Sequence, residues 1–149
     1  MIEYKVEVYA SGDKYWYLND KLHREDGPAI ERANGDKCWY LNNELHREDG
    51  PAVEYANGTK YWCLNDKIHR EDGPAIEYAS GDKFWYLNNE LHREDGPAVD
   101  LANGDKSWAL NGNYLTEQEW KAKVSNTSCE GKEVEIDGVT YVLKEKNNE

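Results

Sequence analysis

The sequence predicts an all-β protein, built as an elongated single antiparallel β-meander of about five stacked 23-residue hairpin repeats. Two observations support this fold class. The phrase LHREDGPA, once with Ile for Leu, occurs four times at a period of 23 residues. At the same period the chain carries five Ala-Asn-Gly or Ala-Ser-Gly turns, beginning at Ala10, Ala33, Ala56, Ala79 and Ala102. A fixed period of this length indicates supersecondary units that bury an apolar face only against their neighbours.

Each repeat is predicted as one hairpin, because Asn-Gly and Ser-Gly favour a two-residue loop whose central residues need positive φ. Closing the loop on Asn34 and Gly35 pairs Ile30 with Trp39 and Glu31 with Cys38. Side chains alternate along strands, so this register predicts a buried face that is the same in every copy. Its predicted structural core consists of Trp16, Trp39, Trp62, Trp85, Trp108, Leu18, Leu41, Leu64, Leu87 and Leu110.

The opposite face is predicted to carry half-exposed aromatic rings flanked by carboxylates. Such rings supply contact area at low entropic cost, which is typical of a partner surface. Covering of a thin sheet by neighbouring loops is the alternative. The candidate partner surface consists of Tyr15, Tyr17, Tyr40, Tyr61, Phe84, Tyr86, Glu31, Glu54 and Glu77.

The repeat array is predicted over residues 1–112, with an atypical N-terminal cap at 1–9. The hairpin register sets Glu7 opposite Trp16. It places Val6 and Val8 on the opposite face with Tyr15 and Tyr17, which we call the tyrosine face. A polar residue there protects an open sheet edge from association, or a bulge restores the register; both interpretations stay open.

Residues 113–149 are predicted to form a C-terminal unit. Thr116 and Glu119 have the spacing of a capping box, which predicts a capping helix at about 116–125. A β-hairpin at about 132–145 is predicted around an Asp-Gly turn. A two-stranded unit needs a packing partner, so the hairpin either covers the end of the sheet or serves as a separate contact arm.

Composition limits the function classes. The formal net charge is −12, so phosphate backbones and lipid headgroups should repel the chain, and direct nucleic-acid or membrane binding is not expected. The N-terminal segment lacks the pattern of a signal peptide, and a cytoplasmic location is expected. Three cysteines without metal or redox spacing are predicted to be free thiols.

The LHREDGPA connector is predicted to be structural rather than catalytic. Its histidines and aspartates should lie about 10 Å from their counterparts in the next repeat, whereas two ligands of one zinc ion sit within about 4 Å. No metal site and no cofactor are therefore predicted. Arg24 and Glu25, with their equivalents, are expected to form ion pairs between successive connectors. Gly27 is expected to take unusual turn dihedrals, and Pro28 to fix entry into the next strand.

Catalysis needs a unique, pre-organised group, whereas every candidate here is repeated and exposed. No phosphate loop, GxSxG elbow or pair of catalytic carboxylates is found. The chain is therefore not expected to be an enzyme, and no catalytic residue is assigned.

The repeat resembles a variant of the MORN (membrane occupation and recognition nexus) repeat. The resemblance rests on Tyr55-Ala56-Asn57-Gly58 with Lys60, Trp62, Leu64 and Asn65, followed by the connector 69–75, and covers residues 10–112. It implies an elongated antiparallel meander in which every hairpin pairs with the next. Proteins of this kind look like adaptors, lipid-associated platforms, or phage and bacterial proteins.

Three functions are considered. The first is a protein-binding module in which a stiff acidic rod engages a basic partner protein; the resemblance suggests a phage-encoded inhibitor of a host defence or nucleic-acid-binding protein, in the cytoplasm of a bacterial host. The second is binding of a nucleotide-like small ligand in repeated pockets. The third is a structural or assembly component. The candidate ligand-binding residues are His23, Arg24, His46, Arg47, His69, Arg70, His92 and Arg93.

Overall fold

A computed structural model describes residues 1–127 and 133–142, and its main element is one long, open antiparallel sheet of 12 strands. Three two-stranded hairpins beside the sheet, a short helix and a two-stranded C-terminal hairpin complete the described fold. The strands are β1 (Lys5–Val8), β2 (Lys14–Leu18), β3 (Lys21–Leu22), β4 (Ile30–Glu31), β5 (Lys37–Cys38), β6 (Tyr40–Leu41), β7 (Glu44–Leu45), β8 (Val53–Glu54), β9 (Lys60–Tyr61), β10 (Cys63–Leu64), β11 (Lys67–Ile68), β12 (Ile76–Glu77), β13 (Lys83–Phe84), β14 (Tyr86–Leu87), β15 (Glu90–Leu91), β16 (Val99–Asp100), β17 (Lys106–Leu110), β18 (Asn113–Leu115), β19 (Glu133–Ile136) and β20 (Val139–Val142), and the helix is α1 (Glu117–Thr127).

The sheet is a meander, which confirms the predicted fold class. Its strands follow the order β1-β2-β4-β5-β8-β9-β12-β13-β16-β17-β18, with β3 paired to β2. Each repeat therefore adds two strands to the sheet, an advance of about 10 Å. None of the helices in the described ranges has the length and apolar character required to traverse a bilayer.

The main hairpin turn holds three residues rather than two. The Arg32 N–H donates to the Asp36 carbonyl at 2.9 Å, and the Gly35 N–H donates to the Arg32 carbonyl at 2.9 Å. Gly35 has φ of 97°, as expected for a three-residue loop that ends on a left-handed glycine. Ile30 consequently lies opposite Cys38. The predicted pairing of Ile30 with Trp39 is wrong by one residue.

That one-residue shift moves the incoming strand to the other face of the sheet. Ile30 also lies opposite Tyr15, so it belongs to the tyrosine face. Glu31 pairs with Lys37 and lies on the other face of the sheet, which carries the tryptophan column and which we call the tryptophan face. The predicted Trp and Leu columns are half-buried throughout. The positions that are buried in every connected repeat are instead small or β-branched: Ala29, Ile30, Ala52, Val53, Ala75, Ile76, Ala98 and Val99.

Each repeat also contains a second, smaller hairpin that the sequence analysis missed. In the second repeat, β6 and β7 are joined by Asn42 and Asn43, whose φ values are 52° and 70°. Two consecutive left-handed residues define a type I′ turn, and the recurring Asn-Asn or Asn-Asp pair was its signal. These side hairpins stack on one another: the Asn43 N–H donates to the Leu22 carbonyl, and the Asn43 side chain accepts the Leu22 N–H.

The N-terminal strand follows the same three-residue turn. Val6 lies opposite Trp16 and Glu7 lies opposite Tyr15, so the predicted pairing of Glu7 with Trp16 is also wrong. Glu7 thus occupies the place that Ile30 takes in the next repeat. Val6 and Val8, predicted on the tyrosine face, both lie on the tryptophan face.

At the C-terminal end the sequence predictions agree with the structure. Helix α1 begins with the expected capping box, in which the Glu119 N–H donates to the Thr116 hydroxyl and the Thr116 N–H donates to the Glu119 carboxylate. The bond from Thr116 holds the pKa of Glu119 below its usual value. The final hairpin, β19 with β20, turns at Asp137 and Gly138, and its described side chains are exposed.

Candidate binding site on the connector face

Each connector arginine places its guanidinium over the tryptophan ring of its own repeat. Arg47 places its guanidinium carbon 4.0 Å from the centre of the Trp39 ring. Its Nε donates to Asp49 at 2.9 Å, and its Nη1 donates to the Pro51 carbonyl and to Glu54 at 3.1 and 3.0 Å. The hydrogen bond from Arg47 lowers the pKa of Asp49. Stacking and charge-assisted hydrogen bonds together fix the arginine. The same contacts recur for Arg24 on Trp16 and Arg70 on Trp62. Arg93 stacks on Trp85 and bonds Asp95 and the Pro97 carbonyl, whereas Asp100 of the following strand pairs with Lys106.

The predicted ion pairs between successive connectors are not formed among the described residues. Arg24 instead bonds Asp26 of its own connector and Glu31 of the strand that follows. The Glu25 carboxylate faces His23, with Nε2 and Oε1 3.6 Å apart. Spacing alone could not distinguish these arrangements, because Arg24 has acidic neighbours at several distances along the chain.

The connector glycine is required for space, not for a left-handed backbone. A Cβ added at Gly50 would lie 2.9 Å from the guanidinium carbon of Arg47, and Gly27, Gly73 and Gly96 meet their arginines in the same way. None of these four glycines has a positive φ. The expectation of unusual turn dihedrals is therefore wrong, and the connector carries glycine because the guanidinium passes close to its backbone.

The connector histidines hold neighbouring repeats together. His23 Nδ1 accepts the backbone N–H of Asn42, in the type I′ turn of the next repeat, at 3.1 Å. His46, His69 and His92 make the same bond at 3.0–3.2 Å. A backbone N–H can only donate, so Nδ1 is the acceptor in each of these bonds. Within the described part of the chain, His, Cys, Asp and Glu side chains do not gather in threes as metal ligands.

Three clefts lie between successive connectors, which we call the connector clefts. Their volumes are about 850, 620 and 610 Å³ from the N-terminal to the C-terminal cleft. Each contains one Trp and one Leu of the predicted core columns, one connector histidine, two connector arginines and four carboxylates. The first is lined by Arg24, Glu25, Asp26, Trp39, Leu41, His46, Arg47, Glu48 and Asp49, and the other two by the equivalent residues.

The connector clefts are acidic. Two arginines face four carboxylates in each, which gives a formal net charge of −2 with neutral histidine. The lining arginines already donate to carboxylates of their own connector, so their charge is compensated locally. The Glu48 side chain, by contrast, faces His46 rather than an arginine and is 86% exposed. The clefts therefore favour cationic groups over anions.

Outside the connector clefts, the structure divides the predicted partner surface. The six aromatic residues lie half-buried on the tyrosine face. Three of them lie opposite a leucine of their side hairpin: Tyr17 opposite Leu22, Tyr40 opposite Leu45 and Tyr86 opposite Leu91. The three carboxylates lie on the tryptophan face, where they bond the connector arginines: Glu31 with Arg24, Glu54 with Arg47 and Glu77 with Arg70. The predicted aromatic-acidic patch is therefore not assembled.

Sequence reasoning also missed three exposed rings on the tyrosine face, one of which is Tyr9, packed edge to face on Tyr15. Tyr55 and Tyr78 directly precede Ala-Asn-Gly and Ala-Ser-Gly turns. Tyr55, Tyr61, Tyr78 and Phe84 pack edge to face in a row, with ring centres 5.7–6.0 Å apart. Their fixed place before the turn was the available signal.

Two of the three cysteines can be described, and both are free. Cys129 lies outside the described residues. Cys63 is 4% exposed, and burial raises the pKa of its thiol to about 11. Burial also raises the pKa of Cys38.

The buried thiol predicts slow alkylation. In a chain with C38S and C129S, iodoacetamide should modify Cys63 at pH 8 at least about 100-fold more slowly than in urea, because the folded thiol is both buried and poorly ionised. The unfolded thiol ionises at lower pH than the folded one, so its contribution to stability is constant in acid and declines only as pH rises above about 9. Equal alkylation rates in buffer and in urea would contradict the predicted protection of Cys63.

Comparison with known proteins does not assign the chain to a family. No family model matches the chain, and no curated protein matches it. The repeated β-hairpin architecture is shown by the strand pairing itself. The resemblance to MORN repeats stays a prediction from the sequence.

Proposed function

We propose that the chain is a non-enzymatic protein-binding module whose connector clefts engage a basic segment of a partner protein. One observation carries the proposal: three clefts of the same composition, each with a net charge of −2, follow one another along the sheet. A row of equivalent acidic sites suits a partner that presents several cationic side chains in register.

The spacing of the clefts suggests the conformation of the bound segment. One repeat advances by two strands, about 10 Å. A polyproline II segment rises about 3.1 Å per residue with three residues per turn, so every third side chain points the same way about 9.3 Å further on. A segment with Lys or Arg at every third position would place one cation in each cleft. The half-buried Trp and Leu of each cleft offer an apolar surface to the aliphatic part of such side chains.

A nucleic-acid-binding protein is one class of partner that carries such a basic surface. Carboxylates of the connector clefts would take the place of phosphates there, and binding would inhibit the partner by competition. The net charge of −12 supports this finer proposal, because it accelerates association with a basic surface.

The proposal is tested with a synthetic peptide of four Lys-Pro-Pro units, whose binding is followed by tryptophan fluorescence, since each cleft contains a Trp. The variant E48Q/E71Q/E94Q removes the exposed glutamate from three of the four connectors, so the first cleft loses one carboxylate and the other two lose two each. The matched control, E3Q/E44Q/E90Q, removes three exposed carboxylates that line none of the three clefts.

We expect the cleft variant to bind about tenfold more weakly, at about 0.5 kcal/mol per exposed charge pair, and the control to bind nearly as the parent chain does. Affinity should also fall as NaCl is added. A peptide of the same composition with its lysines adjacent should bind less well. Equal losses in the two triple variants, or binding that salt does not change, would overturn the proposal.

A small-ligand function is the second candidate, because volumes of 610–850 Å³ lie in the range of ligand pockets. The charge of the clefts opposes a nucleotide-like anion, and the arginines that would bind it are already engaged. Calorimetry with ADP separates the two functions: several equivalents bound per chain support the small ligand, and no heat supports the basic segment.

A further inference from the structure

The first strand of the sheet leaves one edge open. β1 stands at the end of the strand order, and β2 is its only strand partner among residues 1–127 and 133–142. Its residues Val6 and Val8 are 44% and 66% exposed. At the opposite end, helix α1 packs against β17 and β18. An open edge with exposed valines is a template for pairing with another strand.

The hydrogen bonds of the hairpin identify the free backbone groups of β1. The Tyr9 N–H donates to the Asp13 carbonyl, so the backbone N–H and carbonyl of Tyr9 point toward β2. Backbone groups point to alternate sides along an antiparallel strand. The N–H and carbonyl of Glu7 therefore also point toward β2, while those of Val6 and Val8 point away from it.

The next strand gives the same result independently. Trp16 lies opposite Val6, and the Trp16 N–H donates to the Ala29 carbonyl on the far side of β2. Trp16 and Val6 are therefore a pair without mutual hydrogen bonds. The N–H and carbonyl of Val6 face the open edge.

We propose that two copies of this chain associate by antiparallel pairing of their β1 strands about a two-fold axis at Val6. Each Val6 then exchanges both backbone hydrogen bonds with the Val6 of the other copy. Lys5 of one copy lies directly opposite Glu7 of the other, and the symmetry repeats this pair. Within each strand, Lys5 Nζ already lies 2.8 Å from the Glu7 carboxylate, so four alternating charges meet across the interface.

The charges select this register over its neighbours. An axis at Glu7 sets the two Glu7 carboxylates directly opposite each other, which is destabilising. An axis at Val8 sets Glu7 opposite Tyr9 and forms no opposite-charge pair. The axis at Val6 is the one of the three that uses the outward backbone groups and also pairs every charge of the strand. Repulsion between two chains of net charge −12 limits the affinity, so association should appear at high protein concentration.

The interface is tested by sedimentation velocity over a wide range of protein concentration, at moderate salt. The parent chain should shift from monomer to dimer as its concentration rises. K5E alone and E7K alone should remain monomeric, because each places like charges opposite one another. An equimolar mixture of the two variants should dimerise, and so should the double variant K5E/E7K, because both restore opposite charges.

A backbone variant provides a second, independent test. Val6→Pro removes an N–H that β2 does not use, so the fold should persist while dimerisation is lost. Val6→Thr keeps the N–H and is the matched control that should still dimerise. A parent chain that stays monomeric at every concentration, a mixture of charge variants that associates no better than either alone, or V6P that dimerises like V6T would each overturn the proposal.

Discussion

Replacing Trp120 with alanine is expected to lower the free energy of unfolding by about 3–5 kcal/mol, the usual cost of removing a buried tryptophan. Trp120 is 8% exposed and lies on α1, which packs against the last strands of the sheet. Its indole Nε1 donates to the Arg93 carbonyl at 2.8 Å. The substitution therefore opens a cavity and removes a hydrogen bond at the C-terminal end of the array. Urea unfolding followed by circular dichroism measures the change.

Trp120→Phe is the matched control, because it keeps an aromatic ring and removes the N–H donor. Its cost should be smaller, and the difference between the two variants separates packing from the hydrogen bond. A loss below about 1 kcal/mol for W120A would show that α1 does not stabilise the array.

Placing a methyl group at Gly50 is expected to lower the free energy of unfolding by about 1–3 kcal/mol. The new Cβ would lie 2.9 Å from the Arg47 guanidinium carbon and would displace this group from Trp39. The displaced arginine loses the stacking contact and its bonds to Asp49, Pro51 and Glu54. Thermal or urea unfolding of G50A measures the loss.

A double-mutant cycle with Arg47→Ala identifies the cause. Without the guanidinium the three nearest contacts of the added methyl are gone, so G50A should be neutral, or slightly stabilising through reduced entropy of the unfolded chain. If G50A costs as much in the R47A background as in the parent chain, the steric explanation fails and a backbone effect replaces it.

The sequence was sufficient for the main hairpins because the repeat period marks every unit, whereas the side hairpins at the Asn-Asn and Asn-Asp turns were missed. The turn at Asp137, the capping box at Thr116 and the order of hairpins follow from local residue chemistry, and all agree with the structure. The register at Asn34-Gly35 did not follow, because this dipeptide is compatible with both a two-residue loop and a three-residue loop ending in left-handed glycine. That single ambiguity assigned Ile30 and Glu31 to the wrong faces.

The candidate site was predicted in part, for a related reason. The connector arginines and histidines were singled out by their repetition, and the structure brings neighbouring connectors together around three clefts. The partner carboxylate of each arginine could not be chosen from spacing. Glu31 is seven residues from Arg24, yet it is bonded, whereas the adjacent Glu25 is not. Tertiary placement of the strand decided between them.

The bonds between repeats give the array a modular length. The Ala56 N–H donates to Asp36 of the preceding repeat, the Ala102 N–H donates to Asp82, and Asn42 donates to His23. Each bond joins nearest neighbours only, so the stability of such a chain is close to a sum over repeats and junctions. Inserting another 23 residues would copy one junction and leave the others unchanged. The number of connector clefts in such a molecule is therefore set by its number of repeats.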